Sequence, residues 1–231
     1  MSVPINRKYI TASSVLAIVL MIECVSLVSA SRPLVSNLQA KRSMRAISDK
    51  CKKSFNGEFG QADLKTINLK NFRGTIDVPC RLRIRPGASI QMTNVILQTN
   101  NLIIEDQPQA KRPAHLVINS SQVSSSQGGF QIRLTNKGST VELNKSKLSY
   151  PLSVGISTGQ TDKDAKSSVT LNSNQITSQG EQSEGIVIVT TGTAKVTRNS
   201  FKLNPGEDAL LLGSSCQLVN NLHANDRCNG P

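Results

Sequence analysis

The stretch Val169-Thr170-Leu171-Asn172-Ser173-Asn174-Gln175-Ile176 decides the fold, because the chain repeats its pattern at intervals of 21 to 28 residues. In this stretch apolar residues first alternate with polar ones. A polar turn follows, and after it comes another apolar residue. The same order is found in the segments 116–123, 141–148 and 194–201. In each segment a Ser or Asn stands two residues before the last apolar residue. With two further asparagines at the ends, the series is Asn94, Ser121, Ser146, Asn174, Asn199 and Asn220.

A second family of short aliphatic segments alternates with the first, at 130–134, 152–156, 185–189 and 209–213. A near-constant repeat with strands too short for hairpins is typical of a solenoid of stacked rungs. Rungs stack about 4.8 Å apart, so equivalent aliphatic residues form one continuous core and equivalent turn residues form ladders. The sequence therefore predicts an all-β parallel β-helix of about six to seven rungs. A β-sandwich is the alternative, and it explains the Asn and Ser series less well.

The Gly185-Ile186-Val187-Ile188 strand, followed after a gap by the pattern x-Val-x-x-Asn-x-Phe/Ile/Leu, resembles the generic repeat of right-handed parallel β-helix proteins. That superfamily, the pectin lyase-like proteins, includes pectate lyases and polygalacturonases. The resemblance covers roughly residues 67–222 and implies a single-stranded, right-handed coil. It implies no activity, because lyases, hydrolases, epimerases, phage fibres and adhesins share the repeat.

The first 30 residues have the three zones of a secretory signal peptide. Arg7 and Lys8 supply the positive charge, 10–22 is apolar, and Val28-Ser29-Ala30 offers a cleavage site after Ala30. An uncleaved membrane anchor is the alternative, but Glu23 interrupts the apolar run. We expect a secreted, extracellular protein, or a periplasmic one in a Gram-negative source, with no membrane span after cleavage.

Caps are expected at both ends, because a solenoid otherwise exposes its core. Ser43 could begin a short helix that places Met44, Ile47 and Cys51 on one face. The predicted organisation is a signal peptide at 1–30, an N-terminal arm and capping helix at 31–53, the β-helix at 54–222 and a disulfide-tied cap at 223–231. The cysteines outside the signal peptide number four, which predicts two disulfides in an exported chain. Pairing of neighbours, Cys51 with Cys80 and Cys216 with Cys228, is favoured over the other two connectivities.

The chain is basic, with 27 Lys and Arg against 15 Asp and Glu and a net charge of +12. Strand alternation in Arg81-Leu82-Arg83-Ile84-Arg85 would point three guanidinium groups to one face about 6.6 Å apart. Arginine matches carboxylate, sulfate and phosphate with two hydrogen bonds, so this row and Arg133 are candidate polyanion contacts. A solvated or ion-paired strand is the alternative. An exported chain poor in aromatic residues does not favour nucleic acid as partner.

Acidic residues offer a second candidate site. Glu184 and Asp208 stand at equivalent positions before Gly185 and Ala209, with Glu181 and Glu207 nearby. Such carboxylates could form an acid/base couple or bind Ca²⁺, and solvated turn residues are the simpler interpretation. We expect no other cofactor, and the cysteines and histidines have no zinc spacing. Asn119 and Asn144 begin glycosylation sequons, which matter only in a eukaryotic source.

The motifs of known β-helix enzymes are missing. Polygalacturonase-like chains carry Asn-Thr-Asp, Asp-Asp, Gly-His-Gly and Arg-Ile-Lys, and pectate lyase-like chains carry Arg-x-Pro-x-x-Arg; the sequence contains neither set. The sequence therefore predicts a monomeric, non-catalytic binder of anionic polysaccharide or of an anionic cell surface. A divergent lyase or hydrolase acting on an acidic glycan is the alternative.

Overall fold

The structure, a computed structural model, describes residues 38–159, 167–178, 185–204 and 209–220. In the last of these segments, the side chains of 210–216 and 218 are not described. The fold lies in the second of two compact units, Ala40–Pro231; of the first, Met1–Gln39, only residues 38 and 39 are described. The predicted signal peptide and the predicted cap at 223–231 lie outside the described residues.

The described chain forms one helix, α1 (38–53), followed by strands alone. The strands are β1 (Gly60–Leu64), β2 (Ile67–Ile76), β3 (Cys80–Ile84), β4 (Ser89–Thr99), β5 (Leu102–Asp106), β6 (His115–Asn119), β7 (Gln122–Ser124), β8 (Phe130–Leu134), β9 (Thr140–Asn144), β10 (Lys147–Tyr150), β11 (Ser153–Thr158), β12 (Ser168–Asn172), β13 (Gln175–Ser178), β14 (Gly185–Thr197), β15 (Ser200–Lys202) and β16 (Ala209–Val219).

All strand pairs are parallel, and the chain coils into a β-solenoid with three sheets. The first sheet runs β1-β3-β5-β8-β11 and continues into the first parts of β14 and β16. The second sheet combines the first parts of β2 and β4 with β6, β9 and β12 and the last parts of β14 and β16. The third combines the last parts of β2 and β4 with β7, β10, β13 and β15. The predicted β-helix is confirmed, with about five turns, slightly fewer than the six to seven rungs expected.

Inward residues at equivalent positions stack into continuous aliphatic columns, as the repeat requires. In the first sheet the buried column consists of Leu82, Ile104, Ile132, Ile156 and Ile188. In the third it consists of Leu97, Val123, Leu148, Ile176 and Phe201. Each level covers the apolar side of the next, which is how short strands obtain a shared core.

The turn between the second and third sheets, called the second turn, repeats one backbone conformation at every level. Its first residue has a positive φ of 47° to 57° throughout, at Asn71, Asn94, Ser120, Lys145, Ser173, Arg198 and Asn220. The next residue is a buried Ser or Asn on four levels, and its side chain accepts a hydrogen bond from the backbone amide one level earlier. Ser121 Oγ accepts from Val95 N at 3.0 Å, Ser146 Oγ from Ser121 N at 3.1 Å, Asn174 Oδ1 from Ser146 N at 2.9 Å, and Asn199 Oδ1 from Asn174 N at 2.9 Å.

The predicted Asn and Ser series therefore includes residues from two neighbouring columns. Ser121, Ser146, Asn174 and Asn199 form the buried ladder, whereas Asn94 and Asn220 belong to the positive-φ column one residue earlier. Val95 occupies the ladder position next to Asn94, because Ile96 pairs with Gln122. Asparagine suits both columns, since it tolerates left-handed backbone and also hydrogen-bonds turn amides.

Helix α1 contributes a buried face to the core. Met44, Ile47 and Cys51 are buried as predicted, together with Ala40, and the helix already includes residue 38, five residues before Ser43. The Cys51–Cys80 disulfide, confirmed here, joins α1 to β3 with a Cα–Cα distance of 5.7 Å. Cys216 and Cys228 lie in parts of the chain where no side chain is described.

Gly60 allows the end of α1 to approach the first strand. A Cβ at this position would lie 1.9 Å from the carbonyl oxygen of Cys51. The close approach of the helix backbone therefore requires glycine here.

Candidate polyanion-binding surface

The arginines of β3 lie on the outer face of the first sheet beside one carboxylate. Glu105 on β5 accepts a hydrogen bond from Arg83 Nε at 3.4 Å, and Arg81 Nη1 lies 3.8 Å from the same Oε1 atom. Arg81 also places its guanidinium 5.7 Å from the centre of the Phe59 ring. Two of the three arginines in the predicted row therefore lie beside an acidic partner. Glu105 offsets part of their positive charge and weakens their attraction for an anionic ligand.

The outward column that contains Arg83 alternates in charge along the sheet. Its register runs Asp63, Arg83, Glu105 and Arg133 on β1, β3, β5 and β8. Opposite charges on adjacent strands attract, so the alternation stabilises the stacking. Arg133, the fourth predicted contact, is exposed and donates a hydrogen bond to Gln131 Oε1. Three of the four predicted contacts, Arg81, Arg83 and Arg133, thus share one sheet, where acidic neighbours offset part of their positive charge.

Arg85 differs from the other two, because it follows β3 in the turn between the first and second sheets, here called the first turn. It is exposed, and equivalent turns at neighbouring levels also carry exposed cations. These first-turn cations are Lys65 after β1, Arg85 after β3, Lys111 and Arg112 after β5, and Lys137 after β8. Because β1, β3, β5 and β8 are consecutive neighbours in the sheet, the cations stand on four consecutive levels.

No described acidic side chain forms a salt bridge with a first-turn cation. The three salt bridges in the described part of the chain are Lys52–Asp77, Arg81–Glu105 and Arg83–Glu105. Asp106 at the end of β5, five residues before Lys111, is buried and takes part in a hydrogen-bond network. Asp63 on β1, two residues before Lys65, is exposed and shares a surface depression with Arg83 and Arg85.

The Asp106 network explains how the eight-residue first turn between β5 and β6 is held. Asp106 Oδ1 accepts from the amide and the hydroxyl of Thr135, both at 2.9 Å. Its Oδ2 accepts from Asn136 N at 2.7 Å and from Ser139 Oγ at 3.2 Å. Asn136 Oδ1 in turn accepts from Ala110 N at 3.0 Å. These bonds fix the segments that carry Lys111, Arg112 and Lys137, because a buried carboxylate is tolerated only when it is fully hydrogen-bonded.

Cations elsewhere on the solenoid are spaced differently. The second and third sheets carry exposed Lys70, Arg73, Lys147, Lys195 and Lys202 on β2, β10, β14 and β15. The intervening strands β4, β6 and β7 contain no Lys or Arg. These two faces therefore lack a continuous row of positive charge along the described levels.

The acidic candidates Glu181, Glu184, Glu207 and Asp208 lie outside the described residues. Within the described ranges, no group of three or more His, Cys, Asp or Glu side chains could hold a metal ion. A search of the same ranges for a helix with the length and apolarity of a membrane span found none.

The two sequons begin at the last residues of β6 and β9 and continue into the second turn. Asn144 Nδ2 donates to Asn119 Oδ1 at 3.0 Å, and the hydroxyl residues of both sequons, Ser121 and Ser146, are buried in the ladder.

Comparisons of the chain with protein-family models, with curated proteins and with solved structures found no match.

Sequence reasoning placed Arg85 in a strand row and overlooked Lys65, Lys111, Arg112 and Lys137. The sequence does contain a signal for these cations. Each of them falls in the short gap between an aliphatic strand of the first sheet and the following strand of the second sheet. Finding it required the register of the first turns, because on these four levels their lengths vary from two residues after β1 to eight after β5.

Proposed function

We propose that this protein is a secreted, non-catalytic binder of an anionic polysaccharide or an anionic cell surface. The first-turn cations are its principal contact. The observation that carries the proposal is that each of four consecutive levels has at least one exposed first-turn cation, and that none of these cations forms a salt bridge with an acidic side chain among the described residues.

The geometry suits an extended polymer better than a compact ligand. Levels about 4.8 Å apart give a row roughly 15 Å long, parallel to the axis of the solenoid. A chain that carries repeated carboxylates or sulfates can lie along this row and meet a cation at each level. Arg85 and Arg112 can each make two parallel hydrogen bonds to such a group, whereas the lysines act as point charges.

The test compares two variants of equal net charge. The first replaces the first-turn cations by glutamine, at Lys65, Arg85, Lys111, Arg112 and Lys137. The matched control makes the same replacement at Lys70, Arg73, Lys147, Lys195 and Lys202. Both are applied to heparin and to polygalacturonate columns and eluted with NaCl, because exposed charge contacts weaken as salt rises.

We expect the first variant to elute at a clearly lower salt concentration than the wild type, and the control variant to elute close to the wild type. Equal losses in both variants would mean that retention follows net charge alone and would overturn the assigned surface. A third variant, R81Q/R83Q, should change elution little, because both arginines lie beside Glu105.

The same samples separate the binder from the alternative of a divergent lyase or hydrolase. Each polymer is incubated with the protein and Ca²⁺ and then sized by gel filtration. Intact polymer that co-elutes with the protein supports the binder. Shortened polymer would make the protein an enzyme and direct attention to Glu184 and Asp208.

A further inference from the structure

A cleft of about 240 Å³ opens on the outer face of the first sheet, across β8, β11 and β14. Its floor is the backbone of β11 around Gly155. Gln131 and Arg133 on β8 line one side, and Val187 and Val189 on β14 line the other. The cleft lies on the sheet face, apart from the first-turn cations, and the proposed function makes no use of it.

Gly155 creates the cleft by having no side chain. It pairs in unbroken register with Gln131 and Val187, and its φ is not positive. A Cβ on Gly155 would meet only Gln131 Cγ, at an ordinary contact distance of 3.8 Å. Neither backbone conformation nor packing therefore requires glycine here. Glycine inside a regular strand weakens the strand, and such a glycine often marks a place where a ligand approaches closely.

The two sides of the cleft differ in chemistry. Arg133 is exposed, bonds to Gln131 and forms no salt bridge with a described acidic side chain. Val187 on the opposite side is 37% exposed, although it is aliphatic and its chain neighbours Ile186 and Ile188 are fully buried. An anionic group fits the guanidinium side, and an aliphatic group fits over Gly155 and against the valines.

The size and lining of the cleft narrow the class of ligand further. The volume of the cleft, about 240 Å³, is smaller than the ~300–1,000 Å³ of pockets that hold drug-sized molecules. A ligand of this cleft is therefore small. None of the described residues that line the cleft is aromatic, so these residues offer no ring for stacking on a sugar. We infer that this cleft binds a carboxylate that carries a short branched aliphatic group, either as a free acid or as the C-terminal residue of a peptide.

The test follows the backbone amides of Gly155, Arg133 and Val187 by NMR while simple probes are titrated into the full chain. Both 4-methylpentanoate and the peptide acetyl-Ala-Ala-Leu carry the carboxylate and the branched group. Acetate lacks the branched group, and acetyl-Ala-Ala-leucinamide lacks the charge. Glucuronate is the sugar acid of comparable charge.

We expect saturable shifts at these amides with the first two probes, and at least tenfold weaker binding of acetate and of the amide. Stronger binding of the peptide than of 4-methylpentanoate would identify a peptide C-terminus as the source, and equal binding would identify a free acid. Glucuronate binding more tightly than both, or none of the probes shifting these amides, would overturn the inference.

Two variants connect the shifts to the cleft. Gly155→Val places a branched side chain on the floor, where its Cβ meets only Gln131 Cγ at 3.8 Å, and it should abolish the shifts while the fold is retained. Arg133→Gln should weaken the binding of 4-methylpentanoate at least tenfold and leave the binding of acetyl-Ala-Ala-leucinamide unchanged. Ser124→Ala, on the third sheet, is the matched control and should bind as the wild type does. Retention on heparin should be unaffected in Gly155→Val, so failure of this inference is distinguishable from failure of the proposed function.

Discussion

Asn174 makes hydrogen bonds that close the second turn at three successive levels. Its Oδ1 accepts from Ser146 N at 2.9 Å, its Nδ2 donates to Leu143 O at 2.7 Å, and its own amide donates to Asn199 Oδ1 at 2.9 Å. All of this takes place inside the structure, where Asn174 is 3% exposed. Side chains of neighbouring levels thereby supply hydrogen-bond partners for backbone groups of the turn that would otherwise be buried and unpaired.

Replacing Asn174 by alanine should lower the free energy of unfolding by about 1–3 kcal/mol, because buried backbone groups lose their partners. Urea unfolding monitored by circular dichroism measures the loss. Asn174→Ser is the matched control, since serine fills the same ladder position at Ser121 and Ser146, and it should recover part of the stability. Equal losses in both variants would show that the hydrogen bond to Ser146 contributes nothing.

Tyr150 couples stability to alkaline pH. It is fully buried, its hydroxyl lies 2.7 Å from Thr99 Oγ1, and its ring stacks on Phe130 with centroids 5.1 Å apart. Burial raises the pKa of the phenol well above its ordinary value of 10.0, with the Thr99 hydrogen bond acting weakly in the opposite direction. The folded state therefore keeps Tyr150 neutral at a pH where the unfolded chain has already lost the proton.

The consequence is a loss of stability above pH 10. Below that pH both states hold the proton and no penalty exists; above it, deprotonation favours the unfolded chain by about 1.4 kcal/mol per pH unit. Urea unfolding at pH 9, 10 and 11 should show this decline, and the decline should be smaller in Tyr150→Phe. In a Tyr9→Phe background, leaving one tyrosine, tyrosinate absorbance should appear only with unfolding. Tyrosinate that forms near pH 10 in the folded protein would refute the assignment.

At the scale of the elements, strands were predictable and turn register was not. The alternation of apolar residues in segments such as 141–148 places a strand, a turn and a strand because inward positions must be apolar at every level. The turn residues are less constrained, since Asn satisfies both the positive-φ position and the ladder position. Asn94 and Asn220 were therefore assigned to the ladder, one residue away from their place in the structure.

The same loss of register affected the candidate site. Alternation in 81–85 correctly places Arg81 and Arg83 on the outer face, but nothing within the segment indicates that Glu105 lies one level away. Pairing of Arg83 with Glu105 depends on the length of the whole intervening turn of the solenoid. The acidic partner could therefore be identified only once the strands were stacked.

The disulfide between α1 and β3 is the element-scale feature that should contribute most to stability. Cys51 and Cys80 are 29 residues apart, and both are fully buried. We expect C51A/C80A to lower the free energy of unfolding by about 2–4 kcal/mol, since the open chain regains entropy when unfolded. Urea unfolding with and without dithiothreitol measures the change. The reductant should destabilise the double variant further if Cys216 and Cys228 form the second predicted bridge, and an unchanged midpoint would contradict that pairing.

On the scale of the whole molecule, the core extends along the axis of the solenoid, and each level packs only against the levels next to it. Each described level contacts the levels before and after it, as in the consecutive pairing of β1, β3, β5, β8 and β11. Stability is therefore close to a sum of level and neighbour terms, and damage at one end should remain local. This arrangement also suits a surface that binds an extended polymer, because the row of first-turn cations keeps its spacing as long as those levels stay stacked.

Phe201→Ala tests this locality. Phe201 on β15 is fully buried and stacks on Ile176 of β13. Its truncation to alanine leaves a cavity, which should lower the free energy of unfolding of this region by about 3–5 kcal/mol. In hydrogen exchange, the amides of β13 and β15 should exchange much faster, while those of β1 and β3 at the other end keep their protection. The exposed neighbour Lys202→Ala should leave both regions unchanged. A uniform loss of protection across β1, β3 and β13 would instead show that the levels unfold as one cooperative unit, and the row of first-turn cations would then depend on the stability of the whole stack.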